Sequence, residues 1–365
     1  MNRMYPQIEI DLEKFRENAT AVIDRCRHAG ISVCGVIKGC NGLPQLAEAY
    51  RSCGTAQLAS SRIEQIIGCR EAGIPGPYLL LRIPMLSEAA DAVRWCDLSL
   101  NSETAVLDAL NEEAGRQEKQ HGVILMADLG DLREGFWSQA ELIDACVRVE
   151  RRLSHLHLYG IGVNLGCYGS IVPTPEKMQE LAKLAERVEE RIGRQLEIVS
   201  GGATSSYTLV HRDIMPPRIN HLRIGEGVLL ARDLQTAWGI RDMDYLRMDT
   251  MRIRAEVIEV KTKPSYPVGE IGIDAFGRRP TYTDRGMRQR ALLGIGRADV
   301  GDLERLIPLE PGIEVLGGAS DHCILDVEDC RRTLKVGDIV DFGVTYSTML
   351  YATGSRGVNV RFIHA

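Results

Sequence analysis

Short apolar runs alternate with longer amphipathic segments through the first two thirds of the chain. In segments such as PEKMQELAKLAERVEERIG, residues 175–193, apolar residues recur every three or four positions, which is typical of helices that cover a core. Eight strands interleaved with such helices predict an α/β fold, a (β/α)8 TIM-type barrel over residues 1–240. The strands are predicted at 32–38, 56–60, 77–82, 96–100, 122–129, 157–164, 196–201 and 219–225.

The pattern changes after about residue 245, where predicted strands follow one another without long helices between them. This arrangement predicts a separate, mainly β domain over residues 241–365. Its strands are expected in the segments RIRAEVIEV, RALLGIGRA, IEVLGG, HCILDV, VGDIVDFGV and GVNVRFI.

Composition and charge narrow the possible functions. A net charge of -6 gives no basic surface for nucleic acid or anionic membrane, so the expected partner is a small molecule. The chain has no apolar stretch of ~18 residues, and its first segment carries charges where a signal peptide needs an apolar core. Its ten cysteines form no C-x-x-C pair, and the eight histidines show no metal-ligand spacing with them. We therefore expect a cytoplasmic protein with free thiols and no metal.

One lysine ends the first predicted barrel strand, in the segment SVCGVIKGCNG. Active sites of such barrels lie at the carboxyl ends of the strands, where Lys38 would be found. Partial desolvation there lowers the pKa of an amine and makes it nucleophilic, as a Schiff-base lysine requires. The alternative is a lysine that merely extends its amine from the barrel rim into solvent.

Other strand ends carry polar groups suited to a phosphorylated ligand. The segment SGGATSS, residues 200–206, combines glycines that let backbone N–H groups approach a ligand with the hydroxyls of Thr204 and Ser205. A plain capped loop is the alternative, since serine and threonine are ordinary helix caps. GIGVNLG lacks the spacing of a dinucleotide fingerprint. A lysine, a phosphate cradle and Arg223 in LRIGEG together describe a phosphorylated aldehyde, and pyridoxal phosphate fits this description.

Nine segments, in their order along the chain, carry a resemblance to a known family: IEIDLEKFREN, LLLRIPMLSE, SLNSE, ADLGDLREGFW, YGIGVNLGCYG, LRIGEG, VGEIGIDAFG, SDHCILDV and VGDIVDFGVTYSTML. In these segments the chain resembles the fold-type III pyridoxal-phosphate enzymes of the alanine racemase family, and more closely their ornithine racemase branch. The resemblance implies an N-terminal barrel, a C-terminal β domain, and a head-to-tail homodimer whose active sites include residues of both chains.

The resemblance also implies roles for individual residues. Lys38 matches the lysine that binds the cofactor covalently, and Arg133 matches an arginine near the cofactor and the substrate carboxylate. Asn164 occupies the place of a histidine beside the pyridine ring, and Arg223 matches the arginine facing the pyridine nitrogen. The phosphate-binding places fall on Thr204, Ser205, the backbone of Gly225 and Glu226, and Tyr346.

Arginine opposite the pyridine nitrogen has a mechanistic consequence. Arg223 stays protonated and offers no acceptor, so it keeps that nitrogen unprotonated, whereas a carboxylate would favour pyridinium. The ring is then a weaker electron sink, which suits racemisation better than transamination.

The second proton-transfer group departs from the family pattern. Phe276 in DAFG stands where alanine racemases have the catalytic tyrosine contributed by the partner chain. The nearest candidates are Asp321, which matches an active-site aspartate of the family, and His322, whose reference pKa near ~6.5 suits proton transfer. Tyr282 is a third candidate, which would require an alignment shift of six residues. Successive strand residues point to opposite faces, so we expect only one of Asp321 and His322 to reach the site. The alternative for His322 is a histidine packed within the β domain.

The branch resemblance predicts a basic amino acid such as ornithine as the substrate. Glu270 or Asp274 in GEIGIDAFG would pair with its distal ammonium group, although Asp274 would alternatively only order the turn before Gly277. The expected substrate-binding residues are Arg133, Asp274 and Ser320.

Racemisation of a basic amino acid is therefore the leading hypothesis. Alanine or serine racemisation is one alternative, and a fold-type III decarboxylase or aldolase is another because the cofactor machinery is shared. A non-enzymatic protein that handles the cofactor is a third, although its barrel relatives lack the C-terminal domain.

Overall fold

The computed structural model describes residues 4–364, and its sixteen strands within that range fall into a closed barrel and a separate sheet. The strands are β1 Gln7–Asp11, β2 Ser32–Val36, β3 Gln57–Ser60, β4 Tyr78–Leu80, β5 Leu98–Asn101, β6 His121–Ala127, β7 Leu156–Val163, β8 Ile198–Ser200, β9 His221–Ile224, β10 Met251–Pro264, β11 Met287–Leu293, β12 Ile307–Pro308, β13 Glu314–Gly318, β14 Cys323–Asp326, β15 Ile339–Gly343 and β16 Asn359–Ile363.

Helices follow most of the barrel strands and are few after β10. They are α1 Leu12–His28, α2 Pro44–Ser52, α3 Ile63–Glu71, α4 Ala89–Trp95, α5 Thr104–Arg116, α6 Gln139–Arg152, α7 Pro175–Ile192, α8 Tyr207–His211, α9 Glu226–Leu229, α10 Arg297–Val300 and α11 Tyr346–Gly354. No helix in residues 4–364 is long and apolar enough to cross a membrane.

Strands β2 to β9 form the predicted barrel. Each pairs in parallel with the next, and β9 pairs back onto β2, which closes the ring. All eight barrel strands predicted from the apolar runs are confirmed, because such strands are buried on both faces and their apolar character is continuous. A cluster of buried side chains from β2 to β6 packs together: Cys34, Val36, Ala59, Leu79, Leu98, Leu100, Ile124 and Met126.

One glycine permits the close pairing of β7 with β8. A Cβ atom on Gly160 would lie 1.7 Å from the backbone oxygen of Ile198, its partner across the two strands. No side chain fits at that distance, so glycine is required where the two strands meet.

The second compact unit is a mainly antiparallel sheet ordered β12-β15-β10-β11-β14-β13, with β1 and β16 attached to it. All six strands predicted for this domain are present. The structure also adds β1, which the sequence prediction assigned to the barrel domain. β1 instead pairs antiparallel with β10 and in parallel with β16. The barrel unit therefore runs from Phe15 to Arg247 rather than from residue 1 to 240.

All ten cysteines are free, as expected, and seven of them are buried. Burial raises the pKa of several of these thiols, including that of Cys34 to about 12, which keeps them protonated and unreactive.

Candidate functional site

Lys38 lies just beyond the carboxyl end of β2, in a short 3-10 turn formed by Lys38–Cys40. The turn ends at Asn41, whose φ of 50° is left-handed and whose N–H donates to the Lys38 carbonyl oxygen. Gly39 and Cys40 are buried and Lys38 is partly buried. The strand thus stops two residues earlier than predicted, and the turn presents the amine at the end of the barrel where chemistry is expected.

The surroundings of Lys38 favour its neutral form. Burial lowers the pKa of its amine, the positive charge of Arg133 lowers it further, and Arg223 acts in the same direction. Cys167 and Glu134 oppose this shift. A lysine beside two arginines is a better nucleophile at neutral pH, and the group of cations provides a positive potential for an anionic ligand.

Arg223 lies on β9 with 4% exposure and is held by a chain of hydrogen bonds inside the barrel. It donates to the backbone oxygen of Val163 at 2.8 Å and to the Ser200 hydroxyl. That hydroxyl contacts His221 Nδ1 at 2.8 Å, and His221 Nε2 contacts Gln57 at 3.3 Å. Burial, followed by the charge of Arg223, lowers the pKa of His221 to about 3, so its ring is neutral. The guanidinium is therefore fixed by neutral partners.

The loops after β8 and β9 meet at Thr204. Its Oγ1 accepts hydrogen bonds from the N–H groups of Gly225, at 3.4 Å, and Gly227, at 3.1 Å, which leaves its hydroxyl proton available to a ligand. Ser205 Oγ instead donates to the Leu165 oxygen at 2.8 Å. The helix that follows has only five residues, Tyr207–His211, so its dipole contributes little to anion binding.

Glu226 is buried beside this cradle at the start of α9. Its Oε1 accepts hydrogen bonds from the backbone N–H groups of Arg232 and Asp233 at 2.8 and 2.9 Å, whereas its buried Oε2 has no hydrogen-bond partner among residues 4–364. Burial, aided by the charge of Asp233, raises the pKa of Glu226 to about 7. This carboxyl group therefore titrates near neutrality.

We expect Glu226→Gln to raise the free energy of unfolding by about 1–3 kcal/mol at pH 8, because glutamine keeps the accepting oxygen and removes a buried charge. The folded protein holds a proton that the unfolded chain releases between pH 4.5 and about 7, so wild-type stability falls across that window. The advantage of the variant should thus grow from pH 4.5 to 7 and then stay constant. Urea unfolding at several pH values tests this, and a pH-independent difference would contradict it.

Asp131 joins the loop after β6 to the loop after β7. Its side chain is 2% exposed, and its two oxygens accept backbone N–H groups of the second loop at 3.0–3.4 Å. This role of Asp131 was not predicted from the sequence, since the arrangement depends on the conformations of both loops. The four donors are Gly166, Cys167, Tyr168 and Ile171.

Asp131→Ala should lower the free energy of unfolding by about 2–3 kcal/mol, because it leaves four backbone N–H groups without their acceptor. Hydrogen exchange of residues 166–171 should accelerate selectively, as measured by mass spectrometry. Asp24→Ala is the matched control, since Asp24 pairs with Arg27 on the surface of α1 and should change stability by less than about 0.5 kcal/mol. Equal protection of the loop in both variants would contradict this role of Asp131.

Arg133 and Glu134 form an ion pair in the loop after β6. Nε and Nη2 of Arg133 donate to the two oxygens of the Glu134 carboxylate, and the two side chains are 40% and 15% exposed, respectively. At the end of β7, Asn164 is buried and its Nδ2 has no hydrogen-bond partner within the described chain. An unpaired buried donor at a strand end is the kind of group that a ligand satisfies.

The remaining predicted site residues lie in the β unit. Asp274 Oδ1 accepts hydrogen bonds from the backbone N–H groups of Phe276 and Arg278 at 2.9 and 2.8 Å, so one of its oxygens orders the turn. These hydrogen bonds, that from Arg278 foremost, lower the pKa of Asp274. Tyr346 is the first residue of α11 and is partly buried.

Ser320, Asp321 and His322 are exposed and lie in the turn between β13 and β14. The Ser320 hydroxyl donates to Asp321 Oδ2 at 2.7 Å. β14 begins only at Cys323, so the expected strand alternation of Asp321 and His322 is wrong. The N–H of Ala319 donates to the His322 oxygen and closes this turn, which sets the two side chains independently of any pleat.

Comparison with known proteins gives a consistent result. Residues 10–233 match the family model "Alanine racemase, N-terminal domain". The chain is 40% identical to the ornithine racemase of Acetoanaerobium sticklandii over 347 residues, which cover 95% of this chain and 96% of that protein. It is also 40% identical to the lysine racemase of Thermotoga maritima over 352 residues, which cover 96% and 97%.

Solved structures show the same fold at low sequence identity. The alanine racemase of the D-cycloserine producer Streptomyces lavendulae superposes with a TM-score of 0.76 at 18% identity, covering 100% of this chain and 98% of that one. The D-threonine aldolase of Filomicrobium marinum gives 0.73 at 15% identity, covering 95% and 88%. From the family match and the two relatives of nearly equal length, we conclude that the chain belongs to the alanine racemase family.

Proposed function

We propose that this protein is a pyridoxal-phosphate-dependent racemase, an isomerase that interconverts the L and D forms of a basic amino acid. The observation that carries the proposal is Lys38, an amine of lowered pKa at the carboxyl end of a barrel strand, beside Arg133 and Arg223. The substrate class is supported by the ornithine and lysine racemases that share 40% of their residues with this chain.

The residues of the barrel unit fit pyridoxal phosphate. Arg223 is a buried cation with no acidic partner within residues 4–364, Thr204 has a free hydroxyl proton, and Asn164 has an unpaired buried donor. Each of these groups suits a ligand that carries a phosphate and hydrogen-bond acceptors. In the proposed site Lys38 would hold the cofactor covalently through its amine, and Arg223 and Asn164 would donate hydrogen bonds to it. Within the barrel unit, the phosphate would be held by Thr204, Ser205 and the backbone of Gly225 and Glu226.

When bound, the cofactor supplies a conjugated ring that stabilises negative charge at the substrate Cα. The chain contributes the proton transfers and the orientation. The Lys38 amine removes or returns the Cα proton on one face, and its lowered pKa keeps it available as a base near neutral pH. Arg133 orients the substrate carboxylate. Arg223 is held in place by hydrogen bonds and stays charged, so it would not give its proton to the ring nitrogen. The ring would then be a weaker electron sink, which favours rapid return of the proton to Cα.

The proposal includes a homodimer in which the β unit of one chain completes the active site of the other. The opposite face of Cα is then served by Asp321 or His322 of the second chain, and the Ser320 hydroxyl supports this by orienting Asp321. In deuterium oxide, a variant lacking the true second group should still exchange the Cα proton of one enantiomer but lose racemisation. Full racemisation by both Asp321→Asn and His322→Phe would exclude both residues as the second proton-transfer group.

A cytoplasmic location is also proposed, supported by ten free cysteines.

A chiral assay with a panel of amino acids tests the proposed reaction. Each pure enantiomer of ornithine, lysine, alanine and serine is incubated with the protein and pyridoxal phosphate, and the products are separated on a chiral column. We expect ornithine or lysine to be converted to an equal mixture of enantiomers without loss of mass. Release of carbon dioxide would indicate a decarboxylase and release of an aldehyde an aldolase, the reaction named for the structurally similar D-threonine aldolase. Faster conversion of alanine or serine would overturn the substrate class.

A further inference from the structure

Arg133 and Glu134 form an ion pair with each other in a loop that backbone hydrogen bonds hold in place. The N–H of Phe136 donates to Met126 at 2.8 Å, and the N–H of Asp128 donates to Phe136 at 3.0 Å, so the loop returns to the end of β6. Between these anchors, the neighbouring Arg133 and Glu134 satisfy each other, with 2.5 Å between Arg133 Nη2 and Glu134 Oε1. Two opposite charges are therefore presented together at the carboxyl end of the barrel.

This pair lies at the same end of the barrel as the reactive amine, since Lys38 follows β2 and the pair follows β6. The charge of Arg133 lowers the pKa of Lys38, whereas the charge of Glu134 raises it. The charge of Glu134 also acts to raise the pKa of Arg223. Glu134 is the less exposed member of the pair, at 15% against 40% for Arg133. If Arg133 turns to a substrate carboxylate, Glu134 loses its charged partner in a place where water reaches it poorly.

We propose that Glu134 selects basic amino acids by an exchange of ionic partners. The substrate carboxylate takes the Arg133 guanidinium, and the distal ammonium group of the substrate takes the released Glu134 carboxylate. The inference rests on the proposed racemase function and names the residue that sets its substrate class. The class consists of amino acids with an aliphatic side chain that ends in an ammonium group.

Charge balance explains the selectivity. When an amino acid with a distal ammonium group binds, the Arg133–Glu134 ion pair is replaced by two ion pairs. Arg133 pairs with the substrate carboxylate and Glu134 with the ammonium group, so no charge is left unpaired. Alanine has no second cation and would leave Glu134 unpaired beside the bound carboxylate, which repels it. The acidic residues predicted from the sequence are less suited to this role, because one oxygen of Asp274 orders a turn and Glu270 is exposed.

The first test measures binding without turnover. The holoenzyme is titrated by calorimetry with 5-aminopentanoate, which has the carboxylate and distal ammonium of ornithine but no α-amine, and with pentanoate, which has only the carboxylate. Wild type should bind 5-aminopentanoate at least tenfold more tightly, and Glu134→Gln should reduce the preference to less than twofold. The matched control is Glu141→Gln, an exposed glutamate in the first turn of α6, which should keep the preference. Equal binding of both ligands by wild type, or an unchanged preference in Glu134→Gln, would overturn the proposal.

The second test uses turnover. Glu134→Gln should lower the ratio of kcat/KM for ornithine to that for alanine at least tenfold, mainly through a higher KM for ornithine. A parallel loss with both substrates would show that Glu134 only supports Arg133, and would overturn its role in selectivity. If wild type racemises no amino acid, the proposed function fails, whereas the calorimetric comparison still decides whether Glu134 binds the ammonium group.

Discussion

Lys38→Ala should abolish racemisation, with a loss of at least ~10³-fold in kcat, because one amine both binds the cofactor and moves the Cα proton. Borohydride reduction of the wild-type holoenzyme, followed by peptide mapping, should place the pyridoxyl group on Lys38. Lys183→Ala, which removes an exposed lysine of α7, is the matched control and should keep full activity. A pyridoxyl group on another lysine, or turnover above a tenth of wild type in Lys38→Ala, would refute the assignment.

The loss of activity in Lys38→Ala should occur without loss of stability. Because the folded protein lowers the pKa of Lys38, the unfolded chain binds this proton more readily, and wild-type stability rises with pH up to the ordinary lysine value of 10.5. The alanine variant lacks this penalty. Without added cofactor, it should unfold at the same or a higher urea concentration than wild type at pH 7, with a difference that shrinks toward pH 10.

Gly160→Ala should have the largest effect on folding, lowering the free energy of unfolding by about 4 kcal/mol or more. A Cβ atom there would lie 1.7 Å from the Ile198 oxygen and 2.7 Å from its carbonyl carbon, so β7 and β8 must separate. Since typical domains are stable by about 5–15 kcal/mol, much of the variant should be insoluble. The fraction of soluble protein and its urea unfolding midpoint measure the effect.

Gly68→Ala is the matched control for this substitution. Gly68 lies within α3, and a Cβ atom there would have no neighbour within 4 Å. Alanine at this place should stabilise the protein by about 0.5–1 kcal/mol, since it reduces the conformational freedom of the unfolded chain. Similar behaviour of the two variants would show that the pairing of β7 with β8 tolerates displacement.

The barrel was predictable because its strands are apolar on both faces and alternate with amphipathic helices. β1 was assigned to the wrong unit because a strand's own sequence does not reveal its partners, and β16 lies at the other end of the described chain. The turn before Cys323 was taken for a strand because the apolar residues of SDHCILDV begin at its fourth position, and the pattern does not fix where pairing begins.

The strand-end principle predicted the places of Lys38, Thr204 and Arg223 in the barrel unit, since the carboxyl ends of parallel strands meet in space, and the family resemblance added Arg133 and Asn164. It did not identify the hydrogen-bond chain through Ser200 and His221, which depends on side-chain directions in three different strands. The Asp131 contacts also escaped prediction, because they join two loops whose conformations local sequence does not determine. For the chain through Ser200 and His221, the sequence signal was a polar residue within an apolar strand. For Asp131 it was a polar residue beside a glycine-rich loop.

The pairing of β1 with β10 and β16 has a consequence for synthesis on the ribosome. Phe15–Arg247 is a continuous stretch, so the barrel has all its strands as soon as this stretch has left the exit tunnel. β1 emerges first but must wait for residues 359–363 before its second edge is covered. During that interval a strand with open edges and two isoleucine side chains, Ile8 and Ile10, is attached to a folded barrel, and nascent chains stalled after residue 247 should bind chaperones through this strand.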